Sequence, residues 1–581
     1  ALDALDAVRG AGWTAAYSLD RVGDVLHTPI VSELTAMGAA LQLGAIAAFG
    51  LGSLVFTAET NGEAPYQPGT NSYNPPKADE FYRQRPLVVA RRLVTLARLT
   101  SAFTAGVLFD WLVLGKLLKD EEYTALKNAE PRRAKEALVL CEQLGPTFIK
   151  LGQALSIRTD LIPAAYALEL RQLQDAVPPF ATDEAYAVLR KQLGVRDVKE
   201  IFASLSPRPI ASASIGQVYK GTLRDENATE VAVKVQRPGI LAEIALDLYV
   251  LRLITPIQTR LQNAINGLST APEDIEVALQ LVDEWGRGFV AELDYEQEAA
   301  NAERFSAETA GTELGESVFA PKVVRALSTR RVLTTEWVDG ERLDACRAPE
   351  DVPRLCSVAM IAYLSMMLDS GTLHCDPHPG NLLRTADGRL CVLDWGLVAT
   401  IEPDVQLTLI EHVAHLTAED YAKVPSDLVK LGFVPVGGEA AVASGGVVDF
   451  LTYTYSTWNS GGGASKLDVP ALLAQVQELA AETPGGIFQV PPYFAYIAKA
   501  FSVLEGIGLS IDPNYSIVKE TLPYISTRIL TDANPRTAGA LATFVYGDAK
   551  DDAAARVFDA KRVDTLVDGA RRYAAAIDAP P

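Results

Sequence analysis

Cysteine and histidine are scarce in this 581-residue chain, and their scarcity excludes some classes of site. The histidines form no metal-spaced cluster: His374 and His378 are four apart, but the neighbouring prolines disfavour the helix that a zinc pair would need. The five cysteines include no CxxC pair, so we expect them to be reduced and structural. They are Cys141, Cys346, Cys356, Cys375 and Cys391.

Basic side chains are also few, with 52 lysines and arginines against 73 acidic residues. The resulting formal charge of −21 argues against a nucleic-acid partner, because binding to a phosphate backbone requires a basic surface. Apolar residues make up 49% of the chain, and its length predicts two or more domains. The first residue is alanine, from which we expect a leader that has been removed.

Residues 37–58 carry no charge and are long enough to cross the hydrocarbon core of a membrane. Their many glycines and alanines would suit close helix packing in a bilayer, although a buried hairpin or a soluble core helix remains open. Residues 61–79 are rich in Asn, Pro and Gly and predict a linker. We therefore expect residues 1–79 to form an N-terminal leader region of the chain as given, with a membrane-embedded segment at 37–58 followed by the linker.

A basic amphipathic helix is expected over residues 81–118, lying either on an anionic bilayer or with a solvated face packed on the protein. Its arginines are Arg83, Arg85, Arg91, Arg92 and Arg98. Further on, residues 144–155 show an apolar stripe of helical period. Lys150 and Gln153 lie three apart on a neighbouring face, with Gly152 between them giving room for close approach; by pattern alone they are only a helix surface.

Residues 374–396 have the spacing of a protein-kinase catalytic loop followed by its metal-binding loop. Asp376 is followed five residues later by Asn381, and an Asp-Gly hairpin turn then leads to Asp394. Phosphoryl transfer needs a carboxylate near the nucleophile and oxygen ligands for magnesium. Asp376 can be the base, and Asn381 and Asp394 can be the ligands. Three polar residues in ordinary turns are the alternative.

A second pattern typical of kinases begins at Ser206, where strand-forming residues replace the helical period. Residues 209–221 place small side chains where a kinase has its glycine-rich loop, and residues 231–236 form a strand with Val231, Val233 and Val235 on one face. Lys234 therefore points away from the valines, as a lysine that contacts phosphates should. A hairpin with a solvent-exposed lysine is the alternative.

Residues 240–310 are expected to be helical and include an acidic run with Glu292, Asp294 and Glu298. A buried glutamate is needed to hold Lys234, and Glu298 is the candidate. Residues 332–338 predict a strand that ends at a hinge between two lobes, and residues 351–370 an apolar helix. Glycine-rich breaks at 434–446 and 459–463 predict a mobile connection. The tail after residue 534 is expected to be a loosely packed, Ala-rich helix.

Taken together, these motifs resemble the UbiB/ADCK family of atypical kinases over residues 80 to 535. The resemblance implies an α+β, two-lobed protein-kinase-like fold with a helical N-terminal extension and a helical C-terminal segment. The implied boundaries are 80–205 for the extension, 206–340 for the N-lobe, 341–535 for the C-lobe and 536–581 for the tail. The helical segment at 491–528 further resembles the plastid branch of the family.

The family resemblance also implies roles for individual residues. Lys234 would pair with Glu298 and with the phosphates of ATP or ADP, while Asn381 and Asp394 would hold Mg²⁺. Lys150 and Gln153 would meet the acidic pair Glu292 and Asp294 and block a protein substrate from the nucleotide. The nucleotide-binding residues would be Ala211, Ser212, Ala213, Ser214, Gly216, Val218, Lys234, Glu336 and Val338.

Two departures from the family and kinase patterns are visible. Ser212 interrupts the alanine run and could alter nucleotide preference, and Trp395 stands where kinases have phenylalanine. Neither removes a charged group. The resemblance implies ATP hydrolysis linked to prenylquinones at a chloroplast membrane (thylakoid or plastoglobule) rather than the mitochondrial inner membrane. The expected partners are membrane lipids or prenylquinone intermediates, with a membrane-protein complex as a further option.

Three functional readings remain open at this point. The leading one is a magnesium-dependent ATPase or atypical kinase. A catalytically silent scaffold that binds nucleotide only as a structural ligand is the alternative. A true protein kinase is the third, and it is disfavoured because the chain after Gly396 lacks the Ala-Pro-Glu landmark of an activation segment.

Overall fold

The structure is a computed structural model, and it describes most of the chain after residue 62. The described residues are 63–69, 72–110, 124–156, 162–174, 179–265, 269–346, 350–375, 377, 379–417, 423–434, 491–511, 515, 517–546, 558 and 560–577. The candidate membrane segment at 37–58, Asp376 and nearly all of both glycine-rich breaks lie outside them.

Helices supply most of the described structure. In chain order they are α1 (Pro75–Arg83), α2 (Pro86–Phe109), α3 (Thr124–Leu144), α4 (Pro146–Leu155), α5 (Ala164–Leu170), α6 (Thr182–Leu193), α7 (Ile240–Ile265), α8 (Pro272–Ala291), α9 (Tyr295–Thr309), α10 (Glu313–Ser317), α11 (Val352–Ser365), α12 (Pro403–Thr417), α13 (Val424–Lys430), α14 (Pro492–Ile511), α15 (Ile517–Thr531), α16 (Pro535–Tyr546) and α17 (Ala560–Ile577).

Eleven short strands complete the described elements. They are β1 (Phe202–Leu205), β2 (Ala211–Ser212), β3 (Gly216–Leu223), β4 (Glu230–Gln236), β5 (Val318–Phe319), β6 (Val332–Glu336), β7 (Gly340–Arg342), β8 (Thr372–His374), β9 (Leu382–Thr385), β10 (Leu390–Val392) and β11 (Val398–Thr400).

The first sheet is antiparallel, in the order β1-β3-β4-β6, with β2 added alongside β3. Val231, Val233 and Val235 are fully buried beneath it. Lys234 alternates with these valines and lies opposite Val218 of β3, so it is on the other face. The strand and the facing predicted from the sequence are both observed.

The chain leaves the first sheet after Glu336 and enters a second sheet at Gly340, where a hinge was expected. The second sheet has the order β5-β10-β9-β7, and a third pairs β8 with β11. Strands β5 and β10 of the second sheet pack against α11, and β8 of the third sheet packs against the π-helical turn (Met366–Ser370) that continues α11. Within the described residues, Val352–Ser370 is the one helix long and apolar enough to span a membrane, but most of it is buried in this core.

The chain divides into two compact units. The first contains the described residues within 1–66, 74–149 and 241–283, and the second those within 67–73, 150–240 and 284–581. The first unit is helical and is held by buried ion pairs, Arg92 with Asp247 and Arg133 with Asp110. All three sheets belong to the second unit. The grouping of 241–283 with the N-terminal helices was not predicted from the sequence.

Two local expectations about residues 61–118 are wrong. The predicted linker ends before Pro75, because Asn74 caps α1 by accepting from the Lys77 N–H (3.0 Å) and prolines suit the first helical turn. The single helix expected from residue 81 is interrupted, since Pro86 begins a new helix. Residues 111–118 lie outside the described residues.

The expectation of a loosely packed tail is also wrong. Helix α16 buries Thr537, Ala540 and Phe544, and α17 buries Ile577 in the same core that surrounds α11. Gly569 lets α17 approach α15 so closely that a side chain there would meet Ser526. The alanine-rich composition that suggested looseness in the sequence is therefore compatible with close helix packing.

Candidate active site

A cluster of three charged side chains lies between the first sheet and the second sheet. The ammonium of Lys234 donates to both carboxylate oxygens of Glu298, at 2.7 and 2.9 Å, and to Asp394 Oδ2 at 3.1 Å. The three residues come from β4, from α9 and from the loop after β10. The pairing of Lys234 with Glu298, expected from the need for a buried glutamate and from the family resemblance, is therefore present in the geometry.

The position of Glu298 follows from how α9 begins. Asp294 is the residue before the helix, and its carboxylate accepts from the Glu296 N–H at 3.1 Å. This cap places Glu298 in the first turn, where a carboxylate is favoured by the helix dipole. The Glu298 side chain is only 3% exposed, so it cannot rely on water for its solvation.

Burial and charge set the protonation of the cluster. Burial raises the pKa of Glu298 to about 7, and Lys234 opposes this rise without cancelling it. Partial desolvation of Asp394, which is not fully buried, would also raise its pKa, but Lys234 and the Gly396 N–H outweigh this effect and hold that pKa well below its usual range. Burial would lower the pKa of Lys234, but Asp394 and Glu298 keep it well above its usual range. Glu298 is thus the group that changes charge near neutral pH.

The loop that carries Asp394 is anchored on both sides. Asp394 Oδ1 accepts from the Gly396 N–H at 3.0 Å, and Asn301 of α9 donates to the Trp395 carbonyl at 3.0 Å. Trp395 is 1% exposed; its ring lies 4.6 Å from that of Phe305 and 5.0 Å, edge to face, from that of His374. The tryptophan therefore fills the space behind the metal loop and links it to α9.

Asn381 ends the 3₁₀ turn Pro379–Asn381, and its carbonyl accepts from the Leu393 N–H at 2.9 Å. This bond places the predicted ligand Asn381 beside the residue that precedes Asp394. Asp376, the predicted base, lies outside the described residues. Among the residues that are described, no group of three or more His, Cys, Asp or Glu side chains could hold a metal ion.

The two predicted magnesium ligands nevertheless fit that ion. An amide and a carboxylate oxygen are hard donors, and magnesium at nucleotide sites takes one or two protein ligands and completes its shell with phosphates and water. The Asp394 side chain is 42% exposed, so its oxygens are accessible to such an ion. Asn381 and Asp394 are the residues that would hold Mg²⁺, which would supply positive charge to neutralise nucleotide phosphates.

The small-residue loop folds over the end of β3. Ala211 and Ser212 pair with Val218 and Gln217, and the Ala213 N–H donates to the Gly216 carbonyl at 2.8 Å. Ser212 is the departure from the alanine run, and its Oγ is buried without a hydrogen-bond partner. Gly216 lies so close to the Tyr295 hydroxyl that no side chain would fit there.

The remaining predicted nucleotide residues are placed around this loop and at the hinge. Ser214 is buried, and its carbonyl accepts from Arg237 at 3.3 Å. Val218 lies opposite Lys234. Glu336 ends β6 and its carboxylate pairs with Lys322 at 2.8 Å on the surface, while Val338 is half-buried in the crossing between the sheets.

Lys150 and Gln153 of the extension were expected to contact the acidic pair Glu292 and Asp294, and only Lys150 does so. Lys150 of α4 forms a mostly buried salt bridge with Glu292, whose side chain is 10% exposed. Gln153 instead donates to the Leu173 carbonyl at 2.9 Å. The Asp294 carboxylate caps α9, and its Oδ2 lies 3.9 Å from Arg330 Nε. The buried Gly152 follows Lys150 by two residues on the same helix.

Sequence reasoning missed three residues that shape this site. The Tyr295 ring lies 5.1 Å from the Lys234 ammonium, Asn301 anchors the metal loop, and His374 contacts the Asp394 carbonyl through Nε2. Tyr295 and Asn301 flank Glu298 at a spacing of three residues each way, which places them near its face of α9. That spacing from Glu298 is the sequence signal that could have identified Tyr295 and Asn301. His374 was considered only as a zinc ligand.

The family assignment comes from comparison with known proteins. The ABC1 atypical kinase-like domain matches residues 172–428, which include the small-residue loop, Lys234, α9 and the metal loop. An uncharacterized aarF domain-containing protein kinase of the Arabidopsis thaliana chloroplast is 33% identical over 511 residues, covering 88% of this chain and 68% of that protein. The chain belongs to the ABC1 (UbiB/ADCK) family of atypical kinases.

Other ABC1 relatives support the same assignment. The chloroplastic Activity of BC1 complex kinase 3 of Arabidopsis thaliana is 37% identical over 75% of this chain and 59% of its own length. An uncharacterized Synechocystis protein is 33% identical over 82% of this chain and 80% of its own length. The chain thus spans between 59% and 80% of the length of these relatives.

One solved structure is more distantly similar. It is a Mycobacterium tuberculosis protein in complex with erythromycin, with a TM-score of 0.42 and 22% identity, covering 64% of this chain and 91% of that one. A likeness at this level defines neither a ligand nor a mechanism. The ABC1 domain, with the site just described, establishes a protein-kinase-like atypical kinase fold and supports ATP binding.

Proposed function

We propose that this ABC1 protein is a membrane-associated, magnesium-dependent ATPase or atypical kinase that supports prenylquinone or other isoprenoid-lipid metabolism in the plastid. The observation that carries the proposal is the cluster of Lys234, Glu298 and Asp394. A buried lysine held by two carboxylates from separate elements is costly to assemble, and such perturbed groups concentrate at functional sites.

The chain's own residues would divide the work as follows. Glu298 would hold the Lys234 ammonium in place for contact with nucleotide phosphates. Asp394 stays ionised because Lys234 holds its pKa low, so it is ready to bind a cation at neutral pH. Magnesium, when bound, would neutralise charge that develops on the phosphates. The buried aromatic ring of Trp395 keeps the metal loop in position.

The relation between Lys150 and Glu292 favours hydrolysis, or transfer to a small acceptor, over protein phosphorylation. The salt bridge holds α4, part of the helical extension, against the acidic pair just before α9. Glu292 lies near enough to Glu298 to contribute to its raised pKa. A protein acceptor would have to displace this contact to approach the Lys234 cluster.

The proposed membrane association rests on the sequence and on one exposed surface. Residues 37–58 are uncharged. On α2, Arg91 and Arg98 are exposed and seven residues apart, on one helix face, whereas Arg92 is bound to Asp247. An anionic bilayer attracts such arginines by about 1 kcal/mol each. The lipid and the quinone intermediate are proposed from the family resemblance.

ATP hydrolysis by the full chain tests the proposal. Phosphate release would be measured with magnesium, with and without anionic vesicles that contain a prenylquinone. Asp394→Asn is the active-site variant, and Asp387→Asn, the same change on an exposed hairpin turn, is its control. We expect lipid-stimulated hydrolysis that Asp394→Asn abolishes and Asp387→Asn keeps. Equal hydrolysis by both variants would overturn the proposal.

A catalytically silent, nucleotide-binding scaffold of a membrane complex is the second candidate. It is favoured because the charged side chains of the site are paired with one another: Lys234 has two carboxylate partners, and Lys150 forms a salt bridge with Glu292. Tight nucleotide binding without phosphate release, under every lipid condition, would support this candidate. Stoichiometric phosphate transfer to a partner protein would instead support a protein kinase.

A further inference from the structure

Tyr295 is the first residue of α9, and its side chain is fully buried. Within the described structure its hydroxyl oxygen is buried and has no hydrogen-bond partner. A buried hydroxyl without a partner is unfavourable, because it loses the hydrogen bonds that water supplies to the unfolded chain. A phenylalanine would fill the same space without that loss. The hydroxyl therefore points to a partner that the protein chain does not itself supply.

The Tyr295 hydroxyl lies on the face of the first sheet that carries Lys234. It occupies the space beside Gly216 of β3, where a Cβ would overlap it. Along β3, Gly216 and Val218 are two residues apart and share one face. Val218 is paired with Lys234 of β4, which puts the open side of Gly216 on the Lys234 face. The Tyr295 ring is itself 5.1 Å from the Lys234 ammonium, so one tyrosine reaches from the lysine to the end of the small-residue loop.

A glycine keeps open the space that this hydroxyl uses. The φ of Gly216 is not positive, so its backbone would accept another residue. A side chain is excluded instead by the Tyr295 hydroxyl and by the Val235 carbonyl, which would lie 2.8 Å from a Cβ. A glycine weakens a strand and often marks a place where another group approaches closely. Here that group is a hydroxyl that makes no bond in return, so neither residue is explained by contacts within the chain.

The hydroxyl is chemically suited to donate to an anion. Burial raises the pKa of Tyr295 well above its usual range, although the nearby Lys234 opposes the rise, so the phenol keeps its proton at neutral pH. The neighbouring carboxylates of Glu298 and Asp394 already accept hydrogen bonds from the Lys234 ammonium. Hydrogen bonds to an ionised acceptor are about twice as strong as those between neutral groups. A neutral O–H beside a cation is therefore a favourable donor to a phosphate oxygen.

We propose that the Tyr295 hydroxyl donates a hydrogen bond to a phosphate oxygen of the bound nucleotide and is, with Lys234, a phosphate-binding residue. The end of the small-residue loop at Gly216 covers the hydroxyl, so the phosphate reaches it as that end of the loop moves outward. Gly216 permits this contact because it carries no side chain that would remain between the hydroxyl and the phosphate. The inference deepens the proposed function and rests on the nucleotide site that it assigns.

Tyr295→Phe removes the hydroxyl and keeps the ring beside Lys234. Tyr82→Phe is its matched control, because Tyr82 of α1 is 1% exposed and its hydroxyl also has no partner within the described residues. Binding of ATP, ADP and adenosine to the full chain and to both variants is measured by titration calorimetry with magnesium. We expect Tyr295→Phe to weaken ATP and ADP binding about tenfold, equivalent to about 1.4 kcal/mol, and adenosine binding by less than about twofold. Tyr82→Phe should change none of the three affinities.

Thermal unfolding without nucleotide shows whether the hydroxyl is unpaired in the free protein. We expect the midpoint of Tyr295→Phe to stay the same or to rise by up to about 2 °C, because the variant loses no hydrogen bond. A lower midpoint would reveal a bond within the free protein and would overturn the inference. Unchanged ATP binding would overturn it as well. Adenosine binding weakened as much as ATP binding would also do so, since the hydroxyl would then not act on a phosphate.

A failure of the proposed function is recognised separately. If the full chain binds ATP without hydrolysing it, the ATPase or kinase proposal fails, and the affinities still decide the role of Tyr295. If the full chain hydrolyses ATP and Tyr295→Phe binds it equally well, only the inference about Tyr295 fails. If the full chain binds neither ATP nor ADP, both fail.

Discussion

Replacing Arg92 by methionine removes one half of a buried ion pair in the first unit. Its guanidinium binds both oxygens of Asp247, at 2.5 and 2.8 Å, and also the Leu144 carbonyl at 2.8 Å. Asp247 is fully buried, and burial raises the pKa of its carboxyl even though Arg92 opposes the rise. Without the arginine, Asp247 must fold either as an unpaired anion or as the neutral acid.

Folding with Asp247 as the neutral acid costs less free energy than folding with it as an unpaired anion. The cost of protonation therefore sets the expected loss in the free energy of unfolding. Folding with a protonated carboxyl costs about 1.4 kcal/mol for each pH unit above the ordinary pKa of about 3.9. The expected loss is therefore about 4 kcal/mol at pH 7 and about 1.5 kcal/mol at pH 5. The pH 7 figure lies within the range of about 3–5 kcal/mol for breaking a buried pair. The defect grows as pH rises, because the folded variant holds a proton that the unfolded chain releases.

Urea unfolding at pH 5 and pH 7 measures both quantities. Arg91→Met is the matched control: Arg91 is the neighbouring arginine, is exposed and forms no ion pair within the described structure, so its loss should cost under about 0.5 kcal/mol. Adding Asp247→Asn to Arg92→Met should remove the pH dependence. If Arg92→Met unfolds like Arg91→Met at both pH values, the reasoning fails, and Arg92 returns to the set of arginines available to a membrane.

Three further predictions concern the nucleotide site. Because the pKa of Glu298 is raised to about 7, its neutral form at pH 6 releases Lys234 to phosphates; ATP binding should be tighter at pH 6 than at pH 8, and Glu298→Gln should flatten that profile in a fluorescence titration. Trp395→Leu should destabilise the second unit by about 3 kcal/mol in thermal unfolding and weaken magnesium-dependent binding, whereas Trp395→Phe should keep most of both. Ser212→Ala should stabilise the unliganded protein by up to about 1 kcal/mol, because it removes a buried, unpaired hydroxyl, and should change the ratio of ATP to ADP affinity. Unchanged values in these titrations or melts would contradict the respective contact.

The sequence predicted the parts of the site that depend on local pattern. Period-two alternation in β4 placed Lys234 opposite the valines, and the hairpin after Asn381 placed Asp394. Both follow from short-range rules of strand facing and turn chemistry. The choice of Glu298 as the partner of Lys234 needed a chemical requirement as well, since nothing local distinguishes it from the neighbouring acidic residues.

Contacts between distant parts of the chain could not be predicted in the same way. Gln153 bonds to the Leu173 carbonyl and not to Asp294, which depends on how α4 and α5 pack. The docking of Gly69 on α8 and the packing of α17 on α15 through Gly569 use glycines whose partners are remote in sequence. Composition alone suggested flexible segments at these positions. It does not reveal which distant helix a glycine allows to pack closely.

Magnesium-dependent ATP binding tests the central claim most directly. A fluorescent ATP analogue would be titrated against the full chain and Asp394→Asn, with magnesium and with chelator. The account predicts that magnesium tightens binding by the full chain at least about tenfold, and that Asp394→Asn loses this increment while keeping metal-free binding through Lys234. If Asp394→Asn retains the full magnesium increment, the assignment of Asp394 as a magnesium ligand, and with it the proposed site, is contradicted.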